Sequence, residues 1–419
     1  MINKLKPKSE FSRNVLTLMT GTTIAQAIPI AISPILTRIY TPEDFGVFAL
    51  FISLTSLVAV LVTGRYELAI LLPRKKEDGK HLLILSLVIA TAISLSLLIL
   101  VVFFNNQITN LLGNQQISNW LYFIPFATFL TGIYQSLNYW NSRNNAYKHI
   151  AISKVANTSS NAGVNLAASL IHSGVFGLII GSIFGQIVGI ISLFRLGSKI
   201  KPYRQNNIKI LALAYKYKKF PLVNSLHAFV NIFKNNIVTI YISIKYSSSI
   251  LGFYYFVLRI MQLPSSLLGA SLAQVFYKEA SLIYNKDKDI QKLVKQLIIK
   301  LVALAGLPAV ILFFYSKELF IFIFGSGWEI SGQYAKALIP YIFFHFIASP
   351  LGMIPLITNF QDKALYWGII ESFLFVSSFV IGYYIYEDLY HTLILLSTIF
   401  SLYFPIYFLW IYSISKGKI

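Results

Sequence analysis

The chain has 419 residues, of which 56% are hydrophobic and only 12% are charged. A soluble domain carries about 25% charged residues, so hydrocarbon must solvate much of this protein's surface. The sequence contains no cysteine, which excludes disulfides and thiolate metal sites.

Apolar stretches about 20 residues long recur along the whole chain, and a helix needs this length to cross a bilayer. An outer-membrane barrel would show short alternating segments instead. We therefore predict an all-α integral membrane protein with twelve transmembrane helices. Their predicted ranges are 13–38, 44–72, 81–104, 118–141, 147–171, 175–195, 220–244, 250–275, 296–315, 332–358, 364–386 and 390–414.

The basic residues are concentrated in every second loop between these spans. If the N-terminus is cytoplasmic, the cytoplasmic loops receive most of the 35 Lys and Arg residues, and the opposite side receives only Arg38, Lys245 and Lys317. Cytoplasmic loops of membrane proteins are enriched in Lys and Arg. The pattern predicts that both termini are cytoplasmic. It also attributes the net charge of +20 to membrane topology rather than to a nucleic-acid partner.

Two of the cytoplasmic segments have amphipathic patterns. Segment 203–219 places Ile208, Leu211 and Tyr215 at helical spacing among lysines, and segment 277–300 repeats the pattern. Both are predicted to form helices that lie at the anionic inner leaflet. A solvated charged linker explains the first segment equally well.

The long loop at mid-chain separates the spans into two sets of six. It predicts an N-terminal six-helix bundle over 1–200, a cytoplasmic amphipathic linker over 201–219 and a C-terminal six-helix bundle over 220–419. The turn 40–46 has a weak echo 206 residues later, in the turn 246–252. Six spans return the chain to its starting side, so the echo favours two like-oriented repeats over coincidence.

The opening of the chain carries a family resemblance. The run Leu36-Thr-Arg-Ile-Tyr-Thr-Pro-Glu-Asp-Phe-Gly-Val-Phe48, followed by Gly64-Arg-Tyr-Glu-Leu-Ala-Ile-Leu-Leu-Pro-Arg74, resembles the Wzx-type O-antigen and capsule flippases. These belong to the multidrug/oligosaccharidyl-lipid/polysaccharide exporter superfamily. The six-plus-six layout extends the resemblance over the whole chain.

The resemblance implies two bundles in a V, with a central cavity alternately open to each side of the bacterial cytoplasmic membrane. It implies no cofactor. The implied cargo is an undecaprenyl-pyrophosphate-linked oligosaccharide, an O-antigen, capsule or related unit. Membrane lipids and the glycosyltransferases or polymerases of the same route would be the partners.

Basic residues within the spans are the first candidates for binding this cargo, because a charge at membrane depth is costly. From the ends of the predicted spans, Lys234 lies roughly 21 Å deep and Arg259 roughly 13 Å deep, too deep to reach the interface comfortably. Arg65 lies near the cytoplasmic face, where a side chain that snorkels to the interface is the favoured interpretation. It stays a candidate because the resemblance places its span against the cavity.

Polar side chains form one face on each of spans 7 and 8. They are Asn224, His227, Asn231, Lys234 and Asn235 on span 7, and Arg259, Gln262 and Ser266 on span 8. Cations suit a pyrophosphate, and amides suit sugar hydroxyls. The alternative is hydrogen bonding between helices. On span 5, polar residues at every fourth position, Ser153 to Ser169, predict helix packing instead.

Glu67 and Glu371 are the acidic residues within spans, and either is a candidate for ion coupling. Glu67 has an alternative role as a partner of Arg65. A drug or cation exporter of the same fold remains an alternative function, although it predicts acidic cavity residues. A membrane glycan polymerase or ligase, an enzyme, predicts a large charged outer loop. The sequence shows neither a metal-ligand cluster nor an ATPase motif.

Overall fold

A computed structural model describes residues 10–170, 174–196, 206–262, 270–284 and 289–416. These residues form seventeen α-helices and no strand. They divide into two compact units, Met1–Gly252 and Phe253–Ile419. Several predictions concern residues outside this description, namely those on both termini, on residues 201–205 and on Ser266. The division into six plus six spans remains a prediction.

The first unit contains α1 to α10 and the first turn of α11, and the rest of α11 belongs to the second unit. These helices are α1 Glu10–Ile39, α2 Pro42–Ala59, α3 Tyr66–Ala69, α4 Lys76–Leu111, α5 Ser118–Leu121, α6 Ile124–Arg143, α7 Tyr147–Ala168, α8 Phe176–Leu196, α9 Asn207–Lys216, α10 Ser225–Lys245 and α11 Ser248–Met261. The second unit adds α12 Ala270–Tyr284, α13 Gln291–Phe324, α14 Glu329–Leu351, α15 Ile354–Thr358, α16 Gln361–Tyr386 and α17 Leu389–Ile414.

Eight stretches of the described residues are helical, long and apolar enough to cross a membrane. They correspond to α1, α2, α4, α8, α13, α14 with α15, α16 and α17. Every predicted span falls on one or more helices. The helices α6 and α7 miss the criterion because they are more polar. In α10 and α11 the apolar stretches Asn236–Lys245 and Ser248–Met261 are too short. The number twelve therefore remains a prediction.

The turn between α1 and α2 owes its shape to the motif at Tyr40–Gly46. The Thr41 hydroxyl accepts a hydrogen bond from the Asp44 amide at 3.2 Å, and the Asp44 carboxylate accepts one from the Thr41 amide at 2.9 Å. Pro42 is the first residue of α2 and has no N–H to leave unpaired. This capping box fixes where α2 begins.

Helices α7 and α8 pack closely through small and polar residues, as predicted for span 5. Glycines of α8 face the polar stripe of α7: a Cβ at Gly181 would overlap the Asn165 amide, and one at Gly189 would lie 3.2 Å from the Asn157 side chain. The Ser153 hydroxyl donates to the Gly189 carbonyl at 2.9 Å. Small residues allow such close approach in membranes, where lipid competes for any apolar face.

The two echoing turns contact each other within the first unit. A Cβ at Gly46 would overlap the carbonyl oxygen of Ser248, and a Cβ at Gly252 would overlap the carbonyl oxygen of Pro42. Ser248 follows Pro42 by 206 residues, and Gly252 follows Gly46 by the same interval. Gly46 and Gly252 are therefore counterparts in the two turns, and so are Pro42 and Ser248. Gly46 contacts Ser248 and Gly252 contacts Pro42, which is the reciprocal pattern of a twofold relation.

The two amphipathic segments differ in what their apolar stripes contact. On α9, Leu213 is buried against α4 and α6, and Lys209 pairs with Asp78 at 2.8 Å, whereas Ile208, Leu211 and Tyr215 are exposed. An exposed apolar face beside lysines fits a helix at a membrane surface.

The second segment does not form one helix at the leaflet. It is divided between α12 and α13, and its apolar stripe packs into the core of the second unit. The stripe consists of Ile283, Ile290, Leu293 and Leu297. Its spacing therefore reports packing against protein, and the expectation of a membrane-facing stripe was wrong for this segment.

Candidate functional site

A tight turn between α2 and α3 presents Arg65. Both Gly64 and Arg65 are in the left-handed region, with φ of 56° and 60°. For a residue with a side chain this conformation costs about 1–2 kcal/mol. The turn therefore needs compensating contacts from its surroundings.

The contacts come from Asn224 and Glu67. The Arg65 Nε donates to the Asn224 Oδ1 at 3.0 Å, across 159 residues of sequence. The Arg65 Nη1 lies 3.6 Å from the Glu67 Oε1. The Glu67 side chain is 1% exposed and accepts a hydrogen bond from the Thr63 hydroxyl, whereas the Arg65 side chain is 23% exposed. The sequence alternative that Glu67 pairs with Arg65 is confirmed.

This geometry leaves part of the guanidinium available. An arginine has five N–H donors in a fixed plane. Among the described residues, its contacts involve Nε and Nη1, and the Nη2 donors make none. Arg65 is thus held through Nε and Nη1 while its side chain remains 23% exposed, an arrangement that can receive an anion.

A second polar contact joins α2 to α10. The Ser56 hydroxyl donates to the Asn236 Oδ1 at 2.9 Å, and the Ser53 hydroxyl donates to the Asn236 carbonyl at 3.2 Å. The sequence stripe of span 7 missed Asn236, because its neighbour Asn235 matched the helical spacing better. The serines, spaced by three on α2, were the available signal.

The other predicted cargo-binding residues lie on α10 and α11. Lys234 and Arg259 are half-buried, and Gln262 is exposed just after the end of α11. His227, Asn231 and Asn235 belong to α10, but their side chains lie outside the description. Of the predicted site, the structure therefore brings together Arg65, Glu67 and Asn224.

Glu371 faces a separate cavity of about 260 Å³ within the second unit. His345, Trp367, Tyr403 and Tyr407 share its lining. The Tyr403 hydroxyl donates to the Trp367 carbonyl at 3.0 Å, which joins α16 to α17 beside the cavity. A carboxylate among aromatic rings can receive a small cation, because ring faces carry negative charge. In the part of the chain that the structure describes, no three His, Asp or Glu side chains form a metal-binding group.

Several solved structures share the fold of this chain. Lipid II flippase MurJ, in an inward closed conformation, has a TM-score of 0.67 at 15% identity and covers 94% of this chain and 87% of its own. A MOP-superfamily transporter from Pyrococcus furiosus has a TM-score of 0.60 at 13% identity, with 97% and 96% covered. A multidrug resistance MATE family transporter has a TM-score of 0.53 at 12% identity, also with 97% and 96% covered. The chain is a multi-pass membrane protein with the fold of the MOP-superfamily transporters.

The family follows from the sequence itself. The model of the family described as "Polysaccharide biosynthesis protein" matches residues 35–332. The chain belongs to this family, as its motifs predicted. A search of curated proteins finds no match.

Proposed function

We propose that the chain is a flippase for an undecaprenyl-pyrophosphate-linked oligosaccharide, an O-antigen, capsule or related unit. It moves this cargo from the inner to the outer leaflet of the bacterial cytoplasmic membrane by alternating access, with both termini in the cytoplasm. The supporting observation is the Arg65 side chain in the turn after α2, which is 23% exposed and is held by Asn224 just before α10.

The pair Arg65 and Glu67 is better arranged to bind an anion such as pyrophosphate than to bind a cation. The Glu67 carboxylate is buried and accepts the Thr63 hydroxyl, so it orients the turn from inside. The Arg65 side chain is the more exposed member of the pair, at 23% against 1% for Glu67. Charge-assisted contacts from arginine to phosphate are commonly bidentate and strong. A drug or cation exporter would instead need an exposed carboxylate to receive its cationic cargo.

The remaining roles follow from residue chemistry. Lys234 and Arg259 supply further positive charge for the pyrophosphate, whereas amide and imidazole groups contact the sugars. The sugar-contacting residues are His227, Asn231, Asn235 and Gln262. Glu371 is the stronger candidate for ion coupling, because it lines a cavity of about 260 Å³, whereas the Glu67 side chain is only 1% exposed. Polymerases and glycosyltransferases of the same route are the expected partners.

Purified protein in liposomes loaded with lipid-linked oligosaccharide tests the proposal. We expect Arg65→Ala to slow transfer between leaflets by about tenfold or more, since losing a charge-assisted contact costs about 1.5–3 kcal/mol. Arg65→Lys keeps the charge but not the planar fork, so an intermediate rate is expected. Arg74→Ala, at an exposed loop arginine, is the matched control.

Cells provide a second readout. Arg259→Ala and Lys234→Ala should abolish surface glycan at normal protein levels. The proposal is refuted if purified protein moves no lipid-linked oligosaccharide. It is also refuted if the protein changes the glycan chain length, which would indicate a polymerase. Transfer by Arg65→Ala at the wild-type rate would remove Arg65 from the site.

A further inference from the structure

A second, larger cavity in the second unit is an apolar groove. It has a volume of about 420 Å³ and lies between α13, α14 and the end of α11. All twelve side chains that line it are apolar. They include Met261, Leu304, Pro308, Leu312, Phe320 and Phe346. A groove of this size and character matches the pockets that hold drug-sized apolar ligands.

The groove is long and open along its side. Its lining runs along α13 from Leu304 to Phe320, a distance of about 24 Å at the rise of an α-helix. Leu304 is 51% exposed although it lines the groove, so the wall does not close over the cavity. Pro308 lies on the same wall and cannot donate to the Leu304 carbonyl, which favours a bend there. This shape suits a linear chain that enters sideways.

A cation lies next to this groove. Arg259 immediately precedes Ile260 and Met261, which both line the groove. Successive residues on a helix differ by about 100° and 1.5 Å, so Arg259 is at the same level on the adjoining face of α11. It is half-buried and stands eleven residues after Ser248, about 16 Å along the helix.

We infer that this groove holds the polyprenyl chain of the cargo lipid while the pyrophosphate lies at Arg259. The inference rests on the proposed flippase function and extends it to the lipid tail. The predicted span 8 begins at residue 250, so the headgroup of a bilayer phospholipid at that interface would stay roughly 13 Å from the level of Arg259. A lipid in transit carries its anionic headgroup through the membrane interior, where an unpaired charge is costly. An apolar groove beside a deep cation meets both needs.

The test uses the full chain in lipid nanodiscs and compares its affinity for two ligands that differ in tail length. The probes are undecaprenyl pyrophosphate and geranyl pyrophosphate, which share a headgroup. Lipid already solvates a free tail, so the groove contributes only packing, and we expect about fivefold tighter binding of the long chain. Ala309→Phe fills the groove and should remove this difference while leaving the affinity for geranyl pyrophosphate unchanged.

The same substitution at Ala303, an exposed residue of α13 outside the groove, is the matched control and should keep the fivefold difference. Leu312→Trp narrows the groove at another point and replaces Ala309→Phe if that variant misfolds. Arg259→Ala should weaken binding of both probes by the same factor.

Three outcomes are decisive. If wild-type protein binds neither probe, the proposed function fails, and this inference fails with it. If it prefers the long chain and both groove variants keep that preference, the groove assignment alone is overturned. The assignment is also overturned if native mass spectrometry shows that the groove variants lose only phospholipid and keep the preference for undecaprenyl pyrophosphate.

Discussion

The substitution Gly46→Ala tests the reciprocal contact between α2 and the first turn of α11. The new Cβ would overlap the Ser248 carbonyl oxygen and lie 2.7 Å from its carbon, whereas ordinary contact begins at 3.4 Å. The two helices must therefore separate by more than an ångström. Overpacking of this kind costs about 1–3 kcal/mol. If the contact forms in only one state of the transport cycle, that state becomes about 5–150-fold less populated.

A single cysteine reports this change, because the sequence contains none. Ser53→Cys is a suitable reporter, since Ser53 is buried on α2 against the Asn236 carbonyl. We expect Gly46→Ala to accelerate its labelling by a small polar maleimide about 5–150-fold. Gly252→Ala should act in the same direction, because its Cβ would overlap the Pro42 carbonyl oxygen.

Gly163→Ala is the matched control, since a Cβ at this helical glycine meets nothing within 4 Å. It should leave labelling unchanged and slightly favour the helix. The reasoning is refuted if Gly46→Ala labels at the wild-type rate in folded protein. Equal acceleration by Gly163→Ala would refute it as well.

Two further predictions concern the connections between helices of the first unit. Arg143→Ala should lower the free energy of unfolding by about 2 kcal/mol, because this guanidinium donates to three backbone carbonyls of the α3–α4 connection. Thermal unfolding in detergent measures the loss, and an equal loss for Arg74→Ala would contradict it. Leu213→Ala should loosen α9 at a cost of about 2–3 kcal/mol, whereas the exposed Leu211→Ala should cost less than about 0.5 kcal/mol. Limited proteolysis at α9 distinguishes the two, and equal cleavage of both variants would show that α9 is not docked through Leu213.

Properties set by near neighbours in the chain could be predicted from the sequence. The predicted spans fall on helices because an apolar run of sufficient length satisfies its own backbone hydrogen bonds in lipid only as a helix. The start of α2 was encoded in Thr41 and Asp44, which cap the helix locally. The polar stripe of span 5 indicated packing, since residues four apart share a helix face.

The site depended on contacts between distant parts of the chain. Arg65 was a candidate because of its charge, but its partner Asn224 lies 159 residues away, and no local pattern connects them. Asn236 was missed for the same reason, because its serine partners are on another helix. The apolar groove beside Arg259 is likewise assembled from three helices.

The sequence by itself determined a helical membrane protein, its turn motifs and its family. Only the tertiary structure decided which apolar faces meet protein and which remain exposed. The stripes at Ile208–Tyr215 and Ile283–Leu297 have the same helical spacing, yet the first is exposed and the second packs into the core. Lipid tails and buried side chains are equally apolar, so hydrophobic periodicity cannot distinguish a face that contacts the membrane from one that contacts protein.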